Sequence, residues 1–400
     1  MRIHGRKSRG NIWRISKFVP DKLQMKGTLR ALIVSLGIFL GSSVAAQAQQ
    51  IPAATVARIE QLITAYMSAH SAPGLSIALV VDGKMAWSNG YGLASVENYV
   101  PAKASTAFRT ASIGKTMTAT ATMQLAEQGK LDLDADIRKY CPAFPQKPYK
   151  ITPRHLLSHL SGIRHYGGPR DKEEQSSTVH YSGVVEALEP FKNDPLLFPP
   201  GTKYLYSSYG YDVLGCVVQG AASVPFLRYM KEHVWDPAGM TMTRDDDPAA
   251  LIANRAAGYV LFDGQLHNAQ MVDMSNRLAA GGYVTTVVDL ARFAIAVMTG
   301  QLVRNETFKQ MITPATLRDG SKVPYGEGWA LELEEWHSDT WIYHGGGSPG
   351  VSGFLALMPK HQFAIAILSN LEDLPDRSDF AADIARVVLG FGSTENEVRP

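Results

Sequence analysis

The sequence predicts an α+β fold in which an antiparallel sheet, flanked by helices and assembled from both ends of the chain, carries an inserted and mostly helical lobe. Three observations predict it. Strand signatures cluster before about residue 91 and return after about residue 328, the text from roughly 116 to 275 reads as helices and loops, and one helix following Ser112 is apolar nearly all round. The 400 residues are 45% hydrophobic without a low-complexity run, enough for an ample core.

The N-terminus reads separately. Lys26 and Arg30 precede an apolar run from Ala31 to Val44, and Ala46-Gln47-Ala48 follows, which is the basic, apolar, small-residue order of a secretory signal peptide. Residues 1–48 are therefore expected to be a leader cleaved after Ala48, with residues 49–400 forming the working domain in the periplasm or outside the cell. The Arg-rich residues 1–24 add nothing that a signal needs, so Met25 is the expected translation start. A mitochondrial transit segment fits Ala46-Gln47-Ala48 less well. The run is shorter than the roughly 20 apolar residues of a membrane span, so no stable span is expected after processing. Gln49, not a cysteine, stands directly after the cleavage position, which argues against a lipid anchor.

Nine of the 39 Lys and Arg residues and one of the 37 Asp and Glu residues lie in those first 48 positions, so the remainder carries a net charge of −6. The slight basicity of the whole chain belongs to its leader, and no nucleic-acid partner is expected. Two cysteines remain. Cys216 lies within Val213-Leu214-Gly215-Cys216-Val217-Val218 and reads as a small core residue rather than as half of a disulfide with Cys141.

In chain order, Val56 to His70 has the period of an amphipathic helix, and Leu75–Val81 and Lys84–Tyr91 are strands joined by an Asp82-Gly83 turn. Thr152 and Pro153 cap a helix that carries His155 and His159. Tyr209–Ala222 and Phe226–Val234 are further helices. Gly328–Glu334, Trp341–His344, Phe354–Met358 and Phe363–Leu368 read as late strands, and Asp379–Leu389 as a closing helix.

Four stretches carry candidate chemistry. Ser112 and Lys115 stand three apart, on one face of a helix expected to begin at about Ser112. There the positive end of the helix favours developing negative charge, and burial disfavours an ammonium, so a neutral lysine amine can take the serine proton. Tyr204, Tyr206 and Tyr209 follow a Pro199-Pro200-Gly201 turn, and a phenol set against a cationic lysine ionises more easily and can shuttle a proton; spacing does not choose among the three. His344-Gly345-Gly346-Gly347 ends a strand that an acyl group or another backbone can approach closely. Gly346-Gly347-Ser348-Pro349-Gly350 matches the G-x-S-x-G pattern of a nucleophile elbow, but Pro349 lacks the N–H that the elbow needs. His155 and His159 have zinc-pair spacing without the intervening glutamate, and read as packed, hydrogen-bonded helix residues.

Taken in order, S-x-x-K, Y-x-S and H-x-G resemble the motif set of the serine β-lactamase and penicillin-binding-protein superfamily, within it the class C β-lactamase-related branch. Ile151 to Gly162, Pro200-Gly201-Thr202, Ala280-Gly281-Gly282, Asp289 to Phe293 and Tyr325 to Trp329 are similar to that branch too. The wording of Ser158 to Tyr166 and Tyr204 to Ser207 is similar to its mitochondrial β-lactamase-like members and their bacterial relatives.

The resemblance implies a β-lactamase/DD-peptidase-like fold and a serine hydrolase acting on amides or peptides through an acyl-serine, without metal or organic cofactor. Ser112 would be acylated, Lys115 would be its base and Tyr206 the proton relay. His344 would replace the lysine of K-T-G, with Gly345 and Gly346 after it, and the N–H groups of Ser112 and Gly347 would form the oxyanion hole. Ser208 stands where the family has asparagine, and a serine makes fewer bonds to a substrate amide, which argues against antibiotic hydrolysis. An esterase of the same fold is the next expectation. The alternative of another class is a binding protein with little turnover that assembles into a homo-oligomer or filament.

Overall fold

A computed structural model describes residues 51–167, 174–333 and 336–391; the expected leader lies outside the described residues. Helix α1, Ala53–Ala69, buries Ile59, Ile63 and Tyr66, the one-sided spacing that its period predicts. Strand β1, Gly74–Val81, turns at Asp82 and Gly83 into β2, Lys84–Ser95, and a short β3, Val100–Pro101, follows. Both turn residues have positive φ, 50° and 69°, the geometry that an Asp-Gly hairpin favours.

The other half of the sheet comes from the far end of the chain. β4, Ala330–Leu331, β5, Ile342–Ser348, β6, Val351–Met358, and β7, Phe363–Ser369, complete a seven-stranded sheet of order β3-β2-β1-β7-β6-β5-β4. The halves meet where β1 runs antiparallel to β7, with Leu75 opposite Ser369 and Ile77 opposite Ile367. The expected strand from Gly328 shrinks to two residues, because Gly328 takes φ 98° with its Cα pressed towards Ala119, and the chain reaches the sheet only afterwards; Glu334 lies outside the described residues.

β1 and β7 are buried on both faces, which is why they read as continuous apolar runs. Leu75, Ile77, Leu79, Ile365 and Ile367 pack with α1 and the closing helix, Arg377–Leu389, where Tyr66 stacks on Phe380 at 4.0 Å. Ala78, Val80, Ala364, Ala366 and Leu368 face the other way, into the larger core shared with the helical lobe. That lobe contains α2, Gly114–Glu127, α3, Pro153–Leu157, and α4, Ser208–Ala222. α2 is buried from Gly114 to Leu125, and its threonines survive there because Thr116, Thr118, Thr120 and Thr122 each donate to a backbone carbonyl.

Three expectations are corrected in the lobe. Cys141 and Cys216 form a disulfide, S–S 1.99 Å, although Cys216 is also a core residue. The turn before Cys141 lies directly on α4: a Cβ at Gly220 would stand 1.7 Å from the Tyr140 carbonyl oxygen, so the two thiols are delivered to each other. Residues 259–268, read as helix and loop, form a hairpin of Tyr259–Phe262 and Gln265–Asn268 around Asp263-Gly264, a second positive-φ turn. The helix expected over Phe226–Val234 ends at Met230 and continues as a π-helical turn, Lys231–Trp235. Among the described residues no single helix is long and apolar enough to cross a membrane.

Candidate active site

Ser112 lies in a 3-10 turn, Ala111–Ile113, that runs into α2 at Gly114, so the helix opens one turn tighter than its sequence predicts. Ala111 takes φ 44°, an uncommon value for a residue with a Cβ. The turn is held by close backbone contact. A Cβ at Gly281 would stand 1.7 Å from the Ala111 carbonyl oxygen, and one at Gly346 would stand 2.6 Å from that of Thr110. Glycine is therefore required on both sides of the serine, from β5 and from the short helix Leu278–Gly281.

Lys115 is fully buried, and its Nζ lies 3.0 Å from each of three oxygens: Ser112 Oγ, Ser208 Oγ and the Ala280 carbonyl. A neutral amine suits this set, donating to the Ala280 carbonyl and to Ser208 while accepting the Ser112 hydroxyl. Burial pulls the Lys115 pKa down to about 7; the carboxyl of Asp212 acts to raise it and Arg277 to lower it. At neutral pH a large share of the molecules hold the free amine.

Of the three tyrosines, Tyr206 faces Lys115, whose Nζ lies 5.0 Å from its ring centre. Tyr209 stacks on Phe191 at 3.9 Å and Tyr204 packs near His159 and Tyr325. The expected easier ionisation does not occur: burial drives the Tyr206 phenol well above its ordinary value, only partly offset by hydrogen bonding with Ser112 and Ser208. The lysine beside it, its own pKa lowered to about 7, is only partly charged at neutral pH and does not offset the burial of the phenol.

Ser207 caps α4 by accepting the Gly210 N–H, and the segment before it runs extended past two histidines. His159 Nδ1 accepts the N–H of Ser207 and His165 Nδ1 accepts that of Ser208, each at 3.1 Å. His159 is not a helix residue as expected: α3 ends at Leu157, and His159 takes φ 58° beyond it, while His155 stays in the helix as part of its Thr152 capping box. The two imidazoles therefore do not share a helix face.

His344 and Gly346 point from β5 towards the serine turn. The His344 Nδ1–H donates to the Gly345 carbonyl at 2.7 Å, and Nε2 accepts from the Tyr325 hydroxyl at 3.0 Å. Burial and then the neighbouring Lys115 lower its pKa to about 3, so it is neutral where a K-T-G lysine would be charged. Among the described residues, Cβ atoms at Gly345 and Gly347 would meet nothing within 4 Å. Ser348 opens the turn into β6 rather than a helix, and its hydroxyl contacts Met274, so it is no elbow.

Sequence reasoning assigned no site role to Ala280, Tyr325, His165 or Asp212. The first three lie in stretches that resemble the family, but they act through backbone or through contacts between distant segments, which spacing does not reveal. Asp212 had a signal, a carboxylate four residues after Ser208 on an apolar helix; it is buried, with Lys115, Arg277 and the Ala280 backbone acting on its carboxyl.

A serine, a buried lysine and a tyrosine that converge between an antiparallel sheet and a helical lobe define a β-lactamase-like serine hydrolase fold. The Beta-lactamase family model matches residues 59–389, and the chain belongs to that family. It is 31% identical over 385 residues to the mitochondrial serine beta-lactamase-like protein LACTB of Mus musculus, covering 72% of this chain and 70% of that one. Among solved structures, the octameric penicillin-binding protein homologue from Pyrococcus abyssi superposes with a TM-score of 0.73 at 25% identity, over 84% of this chain and 77% of that one. The penicillin-binding protein from Bacillus halodurans gives 0.69 at 25% identity, over 82% and 98%.

Proposed function

We propose that this protein is a serine hydrolase that cleaves amides or peptides through an acyl-serine at Ser112. The observation that carries the reading is the 3.0 Å approach of a buried Lys115 amine to the Ser112 hydroxyl. As Ser112 Oγ bonds to the acyl carbon, its proton passes to Lys115 Nζ. The tetrahedral oxygen is received by the N–H groups of Ser112 and Gly347. When the C–N bond breaks, the leaving nitrogen takes the Tyr206 proton, and Lys115 returns one to Tyr206 through Ser208, which touches both. Water then repeats the sequence and frees the acid.

An amide leaving group needs that proton before it departs, and a phenol kept intact by burial supplies it. Neutral His344 and the short Ser208 leave the site without the fixed cation and the amide that grip a carboxylate-bearing drug, which favours an amide or peptide, D-amino-acid peptides among them, over a β-lactam antibiotic as natural substrate. The disulfide supports an oxidising compartment, in keeping with export. The octameric state of the Pyrococcus abyssi homologue supports self-association, which size-exclusion chromatography reads directly.

The test is covalent labelling of the purified protein by a fluorescent penicillin or a fluorophosphonate. Ser112→Ala is expected to abolish it; retained labelling would move the nucleophile elsewhere. A panel of D-peptides, esters and cephalosporins then ranks the leaving groups.

A further inference from the structure

His159 occupies a position that backbone geometry would give to glycine. After α3, the His159 N–H bonds to the Leu156 carbonyl and the Leu160 N–H to the His155 carbonyl. These are the paired bonds of a Schellman motif, and His159 is its left-handed residue, at φ 58°. Glycine takes that conformation without strain, whereas a residue with a Cβ does not. The side chain is also buried, 1% exposed, and among the described residues its Nε2 has no hydrogen-bond partner. A strained backbone and an unpaired buried N–H both cost stability, so the imidazole is retained for what its other nitrogen does.

That nitrogen grips the Tyr206 segment. The His159 carbonyl accepts the Leu205 N–H at 3.0 Å, and Nδ1 accepts the Ser207 N–H at 3.1 Å, so one residue holds the chain immediately before and immediately after Tyr206. The ring itself lies against Tyr206, centres 4.3 Å apart, and against Tyr325 at 4.6 Å and Tyr211 at 5.1 Å. Because Nδ1 accepts from a backbone N–H, the neutral ring carries its proton on Nε2, among the aromatic faces.

We propose that His159 is a positioning residue for acylation: as a neutral imidazole with Nδ1 unprotonated, it holds Tyr206 in line with Ser112 and Lys115. The proposal rests on the serine-hydrolase reading above. Protonation would set a donor against the Ser207 N–H and open the grip. The groups around the ring oppose it: Lys115 on α2, His344 on β5 and the nearby His165, with burial the largest influence, hold the His159 pKa well below 6.5. Tyr204, Tyr206, Tyr211 and Tyr325 complete the surroundings as intact phenols, each pushed upward by burial.

Three variants separate the roles. His159→Gly relieves the backbone and removes the acceptor. It is expected to retain or gain thermal stability while the rate of Ser112 labelling falls about 100-fold, the order of loss for a reacting group displaced by about 1 Å, with apparent affinity for the reagent little changed. Added imidazole should restore part of that rate. His159→Asn, whose side-chain oxygen can stand at the Nδ1 position, is expected to stay within about a factor of ten of wild type, and His159→Leu to fall with the glycine variant. Equal rates for the asparagine and leucine variants, or no response of the glycine variant to imidazole, would overturn the proposal.

A measurement on the unmutated protein stands apart from activity. Nitrogen NMR of the histidine rings is expected to find His159 protonated at Nε2, with its Nδ1 coupled to the Ser207 amide; a proton on Nδ1 at neutral pH would end the proposal. If wild-type protein is not labelled at all, the hydrolase reading fails, and the NMR result still decides whether the grip exists.

Discussion

The Nζ of Lys115 and the Oγ of Ser112 lie 3.0 Å apart where a 3-10 turn runs into a helix buried from Gly114 to Leu125, so the acid–base state of one buried amine would govern the proposed nucleophile. With the Lys115 pKa lowered by burial to about 7, the amine is protonated below that value and free above it. The rate of acylation should therefore rise with pH through about 7 and level off, as a pH series of labelling rates would show. Lys115→Arg keeps a charge that cannot be lost and should cost at least about 100-fold at every pH.

Glycines 345 and 346 are neighbours in sequence with opposite demands. A Cβ at position 346 would meet the Thr110 carbonyl oxygen at 2.6 Å, whereas one at 345 meets nothing. Gly346→Ala should displace the serine turn, lower the melting temperature and slow labelling. Gly345→Ala should leave stability within about 0.5 kcal/mol of wild type, and thermal melts of the pair check this.

Asp212 should cost the fold more than it contributes. Its carboxyl is buried, and burial raises its pKa well above 3.8, against the opposing pull of Lys115, Arg277 and the Ala280 backbone. A carboxyl whose folded pKa is raised is neutral in both states below 3.8 and carries no ionisation penalty there. As pH rises above 3.8 the unfolded chain ionises and the folded one does not, so stability falls. Asp212→Asn should therefore raise the melting temperature at neutral pH and flatten this part of the stability profile, measured by melts from pH 3 to 8.

The disulfide closes a separation of 75 residues. Chain entropy assigns such a loop about 4 kcal/mol. Replacing Cys141 and Cys216 with serine should lower stability by about that amount in urea titrations. Because Cys216 lies on α4, two turns after Ser208, labelling should become more sensitive to temperature as well.

The sequence by itself determined the central strands β1, β6 and β7, because runs buried on both faces must be apolar throughout, and the first hairpin, because Asp82-Gly83 announces its own turn; it did not reveal the hairpin at 259–268. It also determined the Thr152-Pro153 helix start and the three-residue spacing that puts Ser112 and Lys115 on one face, since these follow from local geometry. Only the tertiary structure decided which of Tyr204, Tyr206 and Tyr209 faces the lysine, that Cys141 meets Cys216, that His344 is neutral, and that His159 leaves its helix to take hold of Ser207. Each of those depends on burial and on contacts between segments far apart in the chain. Desolvation turns a lysine into an amine and keeps a phenol intact, and no spacing of letters reveals how much water a folded chain has excluded.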